Sequence, residues 1–128
     1  MGHVGMLPQM AETYRVKGKK PDEAEEIFQD AINLDRQGVF SIVLECIPES
    51  LAKKITDAVE APTIGIGAGK HCDGQVLVIN DMLGLDASFK PKYVKVYANL
   101  YKIIKDAVAK FSEEVSAGEY PDEEHTYH

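Results

Sequence analysis

The feature that most constrains this chain is Phe40-Ser41-Ile42-Val43-Leu44-Glu45-Cys46-Ile47, a nearly unbroken apolar run stopped by Pro48. A strand with one wet face alternates apolar and polar residues. A run without alternation fits a strand buried on both faces, as in parallel sheets covered by crossover helices. The flanks agree with that reading. From Pro21 to Val39, Ala24, Ile27, Phe28, Ala31 and Leu34 recur at steps of three and four, predicting a helix with one apolar face. Pro21 suits its first position, Asp22, Glu23, Glu25 and Glu26 complement its positive end, and Gly38 supplies a stop.

A second helix is expected from about Glu49 to Glu60, with Leu51, Ile55, Ala58 and Val59 on one side and Ala61-Pro62 as its break. Thr63 to Gly69 reads as a strand running into a glycine-rich loop, and His71-Cys72-Asp73-Gly74 reads as a turn. Gln75 to Ile79 is a third buried-strand candidate, and Asn80 to Ser88 a loop or short helix. A long last helix is expected from about Pro91 to Ala117, with Val94, Tyr97, Tyr101, Ile104, Val108, Phe111 and Val115 forming a stripe and Gly118 ending it. That stripe fits core or a subunit contact better than a cofactor box. The tail from Glu119 to His128 is polar and acidic. Alternating helices and strands predict an α/β fold with right-handed crossovers, and a small sheet whose edges need cover.

Composition narrows the function classes. A chain of 128 residues with 45% hydrophobic and 27% charged residues is one globular domain by prior, not a disordered chain. A net charge of −7 repels phosphate backbones, so nucleic acid is not an expected partner. No apolar stretch approaches the roughly 20 residues of a spanning helix, and the start lacks the basic region and apolar run of a secretory signal. A soluble cytoplasmic protein, not a membrane one, is therefore expected, with Cys46 and Cys72 reduced.

Chemistry has few places to live. Glu45 is a carboxylate inside an apolar strand, just before its proline stop, and ligands of parallel α/β folds bind at that strand end. Apolar neighbours would disfavour its charged form, a condition suited to a general base; the alternative is a rim carboxylate in water or capping the next helix. Gly65-Ile66-Gly67-Ala68-Gly69 either brings backbone N–H groups to a ligand or makes a tight passage beneath a site; it lacks dinucleotide or P-loop spacing. His3, between Gly2 and Gly5, either meets a carbonyl or carboxylate or is merely solvated. His71-Cys72-Asp73 gathers possible ligands, but adjacent turn residues point apart, and His125 and His128 read as surface, so no metal residues are assigned.

Several segments, in order, resemble ketopantoate hydroxymethyltransferases. Gly2-His3-Val4-Gly5-Met6-Leu7-Pro8-Gln9 resembles the family's Gly-His-x-Gly-Leu-Thr-Pro-Gln, and Tyr14-Arg15-Val16-Lys17-Gly18-Lys19 its Tyr-Lys-Val-Gln-Gly-Arg stretch. Ile42 to Pro48 looks like the strand carrying the family's catalytic glutamate. Thr63 to Gly69, Cys72 to Val78, Asp81 to Gly84 and Tyr120 to His125 also match. The resemblance implies the C-terminal half of a (β/α)8 TIM barrel of the phosphoenolpyruvate mutase type, a single partial domain over 1–128. It implies hydroxymethyl transfer from 5,10-methylenetetrahydrofolate to 3-methyl-2-oxobutanoate, giving 2-dehydropantoate for pantothenate biosynthesis. By the same resemblance Glu45 is the proton acceptor, and His3, Gly65 and Gly67 contact the oxo acid.

Mg2+ is expected from the resemblance, with its acidic ligands, and a substrate lysine, on earlier strands that this chain lacks. A whole barrel needs roughly 250 residues, so the chain is expected to be half of such an enzyme, inactive alone, and a homo-oligomer or the partner of a complementary N-terminal half. Leu7 stands where the family has threonine, and the Gln9–Tyr14 segment is shorter than the family's. The competing readings are a non-catalytic half-barrel assembly module, docking through the tyrosine-bearing helix, and an enzyme of the same superfamily acting on another oxo acid.

Overall fold

The computed structural model describes residues 1–7, 15–86 and 91–128. Pro8, Gln9 and Tyr14 of the motifs above, and the end of the 80–88 loop, lie outside them. The chain divides into two compact units, Met1–Leu77 and Val78–His128.

The first unit is built on a parallel sheet of four strands in sequential order, β1 (Gly2–Gly5), β2 (Ile42–Glu45), β3 (Thr63–Ile66) and β4 (Gly74–Gln75). Helices α1 (Pro21–Arg36) and α2 (Glu49–Thr56) link the first three strands. Neighbours in space that are neighbours in sequence, all parallel, form a sector of a (β/α)8 barrel; a doubly wound sheet would reverse its order at a switch point. The register pairs Gly2, Val4, Ile42, Leu44, Thr63 and Gly65 along one face, and His3, Gly5, Val43, Glu45, Ile64 and Ile66 along the other.

The helices cover the first face. Val4, Ile42 and Leu44 join Ile27 and Ala31 of α1 and Leu51, Ala52 and Ile55 of α2 in one core. Burying a side chain such as Leu44 or Ile55 contributes about 1.5–3 kcal/mol. Gly2 is small because a Cβ there would lie 2.9 Å from Leu34 Cδ1. On the second face none of His3, Val43, Glu45, Ile64 and Ile66 belongs to that core.

Local chemistry sets the helix ends. Pro21 opens α1, and Asp35 near its end accepts the N–H of Ala61 at 2.8 Å, tying the helix to the approach to β3. At the start of β3, the buried Thr63 gives its backbone N–H (2.8 Å) and hydroxyl (3.0 Å) to Asp73 Oδ2, and Thr56 Oγ1 lies 2.9 Å from the same hydroxyl. This lock fastens the loop before β4 back to the root of β3.

In the second unit, α3 (Ile79–Met82) leads to a turn at Gly84, and α4 (Leu100–Ala117) runs to a left-handed cap at Gly118. Asn99 caps α4 by accepting the N–H of Lys102. The tail folds into a 3₁₀ turn at Glu123–His125 capped by Asp122, with Tyr120 edge-on to Phe111 at 5.4 Å. No described helix is long and apolar enough to cross a membrane.

Three boundaries differ from expectation. Gly2–Gly5 is a strand that periodicity does not reveal. β4 ends at Gln75; Val76 and Val78 lie exposed outside it, so they fill no buried strand. The last helix begins at Leu100, not Pro91, because the N–H groups of Tyr97 and Leu100 go to the carbonyls of Met82 and Leu83. Its apolar stripe is not core: no residue of α4 is buried.

Candidate active site

Glu45 is the last residue of β2 and is only 6% exposed. Parallel pairing places Gly5 of β1 on one side of it and Ile66 of β3 on the other. His3 lies two residues earlier on β1 and on the same sheet face, a diagonal reach across adjacent strands. Its Nε2 comes to 3.1 Å from Glu45 Oε2. That nitrogen is shielded from solvent and makes no aligned hydrogen bond. The distance establishes the contact between the two side chains. An imidazole in contact with a buried carboxylate is a pairing of residue types that proton transfer uses.

The backbone around Glu45 is held from both sides. Its carbonyl accepts the N–H of Met6 at 2.9 Å, and the N–H of Cys46 donates to the carbonyl of Ile66 at 2.9 Å. Gly5 has φ +94, and a Cβ there would sit 2.2 Å from the Glu45 carbonyl oxygen. Glycine is demanded at this position twice, by conformation and by space.

The glycine loop leaves β3 one residue past Ile66. Gly67 is left-handed at φ +65. Gly65 faces the other way from Glu45: a Cβ on it would meet Cys72 Sγ at 2.9 Å and Gln75 Nε2 at 3.0 Å. Gln75 Nε2 also donates to the carbonyl of Gly69 at 2.9 Å, pinning the loop. The structure thus brings His3 and Glu45 into contact, sets Gly67 one position beyond Glu45's neighbour, and uses Gly65 for close packing.

The other titratable groups disperse. His71 pairs with Glu49 of α2 at 3.4 Å, while Asp73 turns to Thr63, whose backbone N–H and hydroxyl hold its carboxyl below the usual carboxylate range. Burial pushes the Cys72 thiol up. His125 sits against Asp122 and His128 against Glu123, all exposed. Among the described residues no group of three His, Cys, Asp or Glu side chains is gathered to hold a metal. The described donors, one buried carboxylate beside an imidazole, do not fit Mg2+, which takes carboxylates and waters in an octahedron.

Sequence reasoning missed the Thr63–Asp73 lock. Its signal was present: a hydroxyl residue opening a strand and an aspartate just before a Gly turn, both types that bond nearby backbone.

Comparison with known proteins gives this geometry its context. The model of the family described as ketopantoate hydroxymethyltransferase matches residues 1–123. A 3-methyl-2-oxobutanoate hydroxymethyltransferase of Leptospira interrogans is 48% identical over 99% of this chain and 49% of its own length. That of Thermosipho melanesiensis is 50% identical over 99% of this chain and 49% of its own length. For Clostridium beijerinckii the figures are 48%, 99% and 47%. The chain spans about half the length of these relatives, and its sheet is the matching part of a TIM barrel. A family match over residues 1–123, with near-half identity along the whole chain, places this protein in the ketopantoate hydroxymethyltransferase family.

Proposed function

We propose that this chain supplies the proton-transfer half of a hydroxymethyl transfer site in the cytoplasm. The substrates are 3-methyl-2-oxobutanoate and 5,10-methylenetetrahydrofolate, and the product is 2-dehydropantoate. The supporting observation is the shielded Glu45 carboxylate at the C-terminal end of β2, with His3 Nε2 3.1 Å away. Glu45 takes the proton from C3 of the oxo acid, and the carbanion so formed bonds to the one-carbon unit of the folate, whose two C–N bonds break; water supplies the hydroxyl, and the C3 proton and the remaining water proton go to the two nitrogens of the departing tetrahydrofolate. His3 orients the oxo acid and restrains the carboxylate, while Gly67 presents backbone rather than a side chain just past the neighbouring strand end.

A second strand edge bears on partners. β1 and β4 end the sheet, and unpaired strand edges call for cover. We therefore assign as partner a complementary N-terminal half or, failing that, a second copy of this chain. Mg2+ and its ligands belong to the complementary half, and the chain alone is inactive.

The test mixes purified chain with the N-terminal half of the Leptospira interrogans relative and measures 2-dehydropantoate with Mg2+ present. Product from the mixture, none from either half alone, and none from a mixture carrying Glu45→Gln is expected. Turnover by this chain alone, or undiminished turnover with Glu45→Gln, overturns the reading. The exposed apolar residues of α4, such as Val108 and Phe111, favour a second reading as an assembly module. That reading expects no metal-dependent binding of the oxo acid.

A further inference from the structure

At the rim next to Glu45, neighbouring strands leave the sheet through left-handed residues within one residue of the same level. Gly5 has φ +94, Cys46 φ +50 and Gly67 φ +65. Register aligns Gly5 with Glu45, and Glu45 with Ile66, so Cys46 and Gly67 stand one residue beyond the level of Gly5. Glycine at two of the three positions is what the conformation favours. Cysteine at the third is not, and among the described residues Cys46 is the only one other than glycine with positive φ.

A residue persists in that region only where its surroundings over-determine it. Here they do. The Cys46 N–H donates to Ile66, the Cys46 carbonyl accepts the N–H of Lys17, and the preceding carbonyl accepts the N–H of Met6, each at 2.9 Å. The residue is 3% exposed. The locked residue directly follows Glu45, so its turn fixes the peptide plane from which the carboxylate projects.

We infer that Cys46 is a positioning residue for Glu45: its left-handed backbone, held from β1, β3 and the 15–19 segment, ends β2 so that the carboxylate meets His3. The importance of this rests on the reading of Glu45 as proton acceptor, but the geometry and its test do not depend on turnover.

The test uses the full chain, labelled with carbon-13, and follows the His3 ring resonances at one pH, assigned by their loss in His3→Gln. Glu45→Gln displaces them in the parent because the carboxylate is in contact. The same displacement is expected in the backgrounds Cys46→Gly and Cys46→Asn, which tolerate positive φ. In Cys46→Val, whose branched side chain resists it, the displacement falls by at least half while His71, His125 and His128 stay in place. A folded Cys46→Val chain with the full displacement overturns the inference. So does its loss in Cys46→Gly, which would make thiol packing rather than backbone shape the cause. That second comparison decides the matter if Cys46→Val does not fold.

Discussion

Replacing Gly5 by alanine tests the site's framework, with Gly38 as the built-in control. Both glycines are left-handed, at φ +94 and φ +77. At Gly38 a Cβ meets nothing within 4 Å, so Gly38→Ala meets only the strain of an L side chain on a left-handed backbone. That costs about 1 kcal/mol. At Gly5 the Cβ would lie 2.2 Å from the Glu45 carbonyl oxygen and 2.7 Å from Ile47 Cγ2. The strands must part, and the Met6–Glu45 hydrogen bond goes with them. A lost hydrogen bond adds about 1 kcal/mol and overpacking about 1–3 more, so Gly5→Ala should cost about 3–5 kcal/mol in all. Urea unfolding followed by far-UV circular dichroism measures both variants, provided the slope with denaturant is unchanged. Equal costs for the two substitutions would refute the claim that β1 is packed against the Glu45 backbone.

Other outcomes follow from single contacts. Thr63→Val keeps shape but strands the Asp73 and Thr56 partners of the hydroxyl, costing about 1–3 kcal/mol in the same unfolding assay. The Asp73 carboxyl is depressed in the folded chain by donation from Thr63, so its contribution is complete above the unfolded value of about 3.9 and is lost as pH falls through the lower folded value. Asp73→Asn should accordingly be less stable near neutrality and lose less stability below about pH 4, read from melting temperatures against pH. Burial raises the Cys72 thiol, so the native chain should alkylate there more slowly than a free cysteine, and urea should abolish the difference.

Much of this fold is legible in the order of residues. The uninterrupted run around Leu44 declares a buried strand, the three-and-four spacing of α1 declares its face, and Glu45 stands out because a carboxylate in such a run needs a reason. What periodicity could not show depends on distant partners. β1 is four residues with glycine at both ends, and four residues carry no period. Its strand character comes from pairing with β2. His3 alone reads equally as solvated; only adjacency of β1 and β2 turns it toward Glu45. Val76 and Val78 look like strand residues, yet the ladder to β3 ends at Gln75. The nine residues before α4 fit a helical pattern, but the N–H of Tyr97 serves the carbonyl of Met82, and those of Leu100 and Tyr101 serve Leu83 and Gly84, a competition that spacing cannot reveal.

The central claim is that Glu45 removes a proton from C3 of the oxo acid. Its most direct test is deuterium uptake at that carbon in heavy water, with this chain mixed with the N-terminal half of a relative, in parent and Glu45→Gln forms. A positioned general base accounts for about 10²–10⁴ in rate, so the parent mixture should exchange and the Glu45→Gln mixture should be slower by about 100-fold or more. Exchange at the parent rate without the carboxylate would contradict the account.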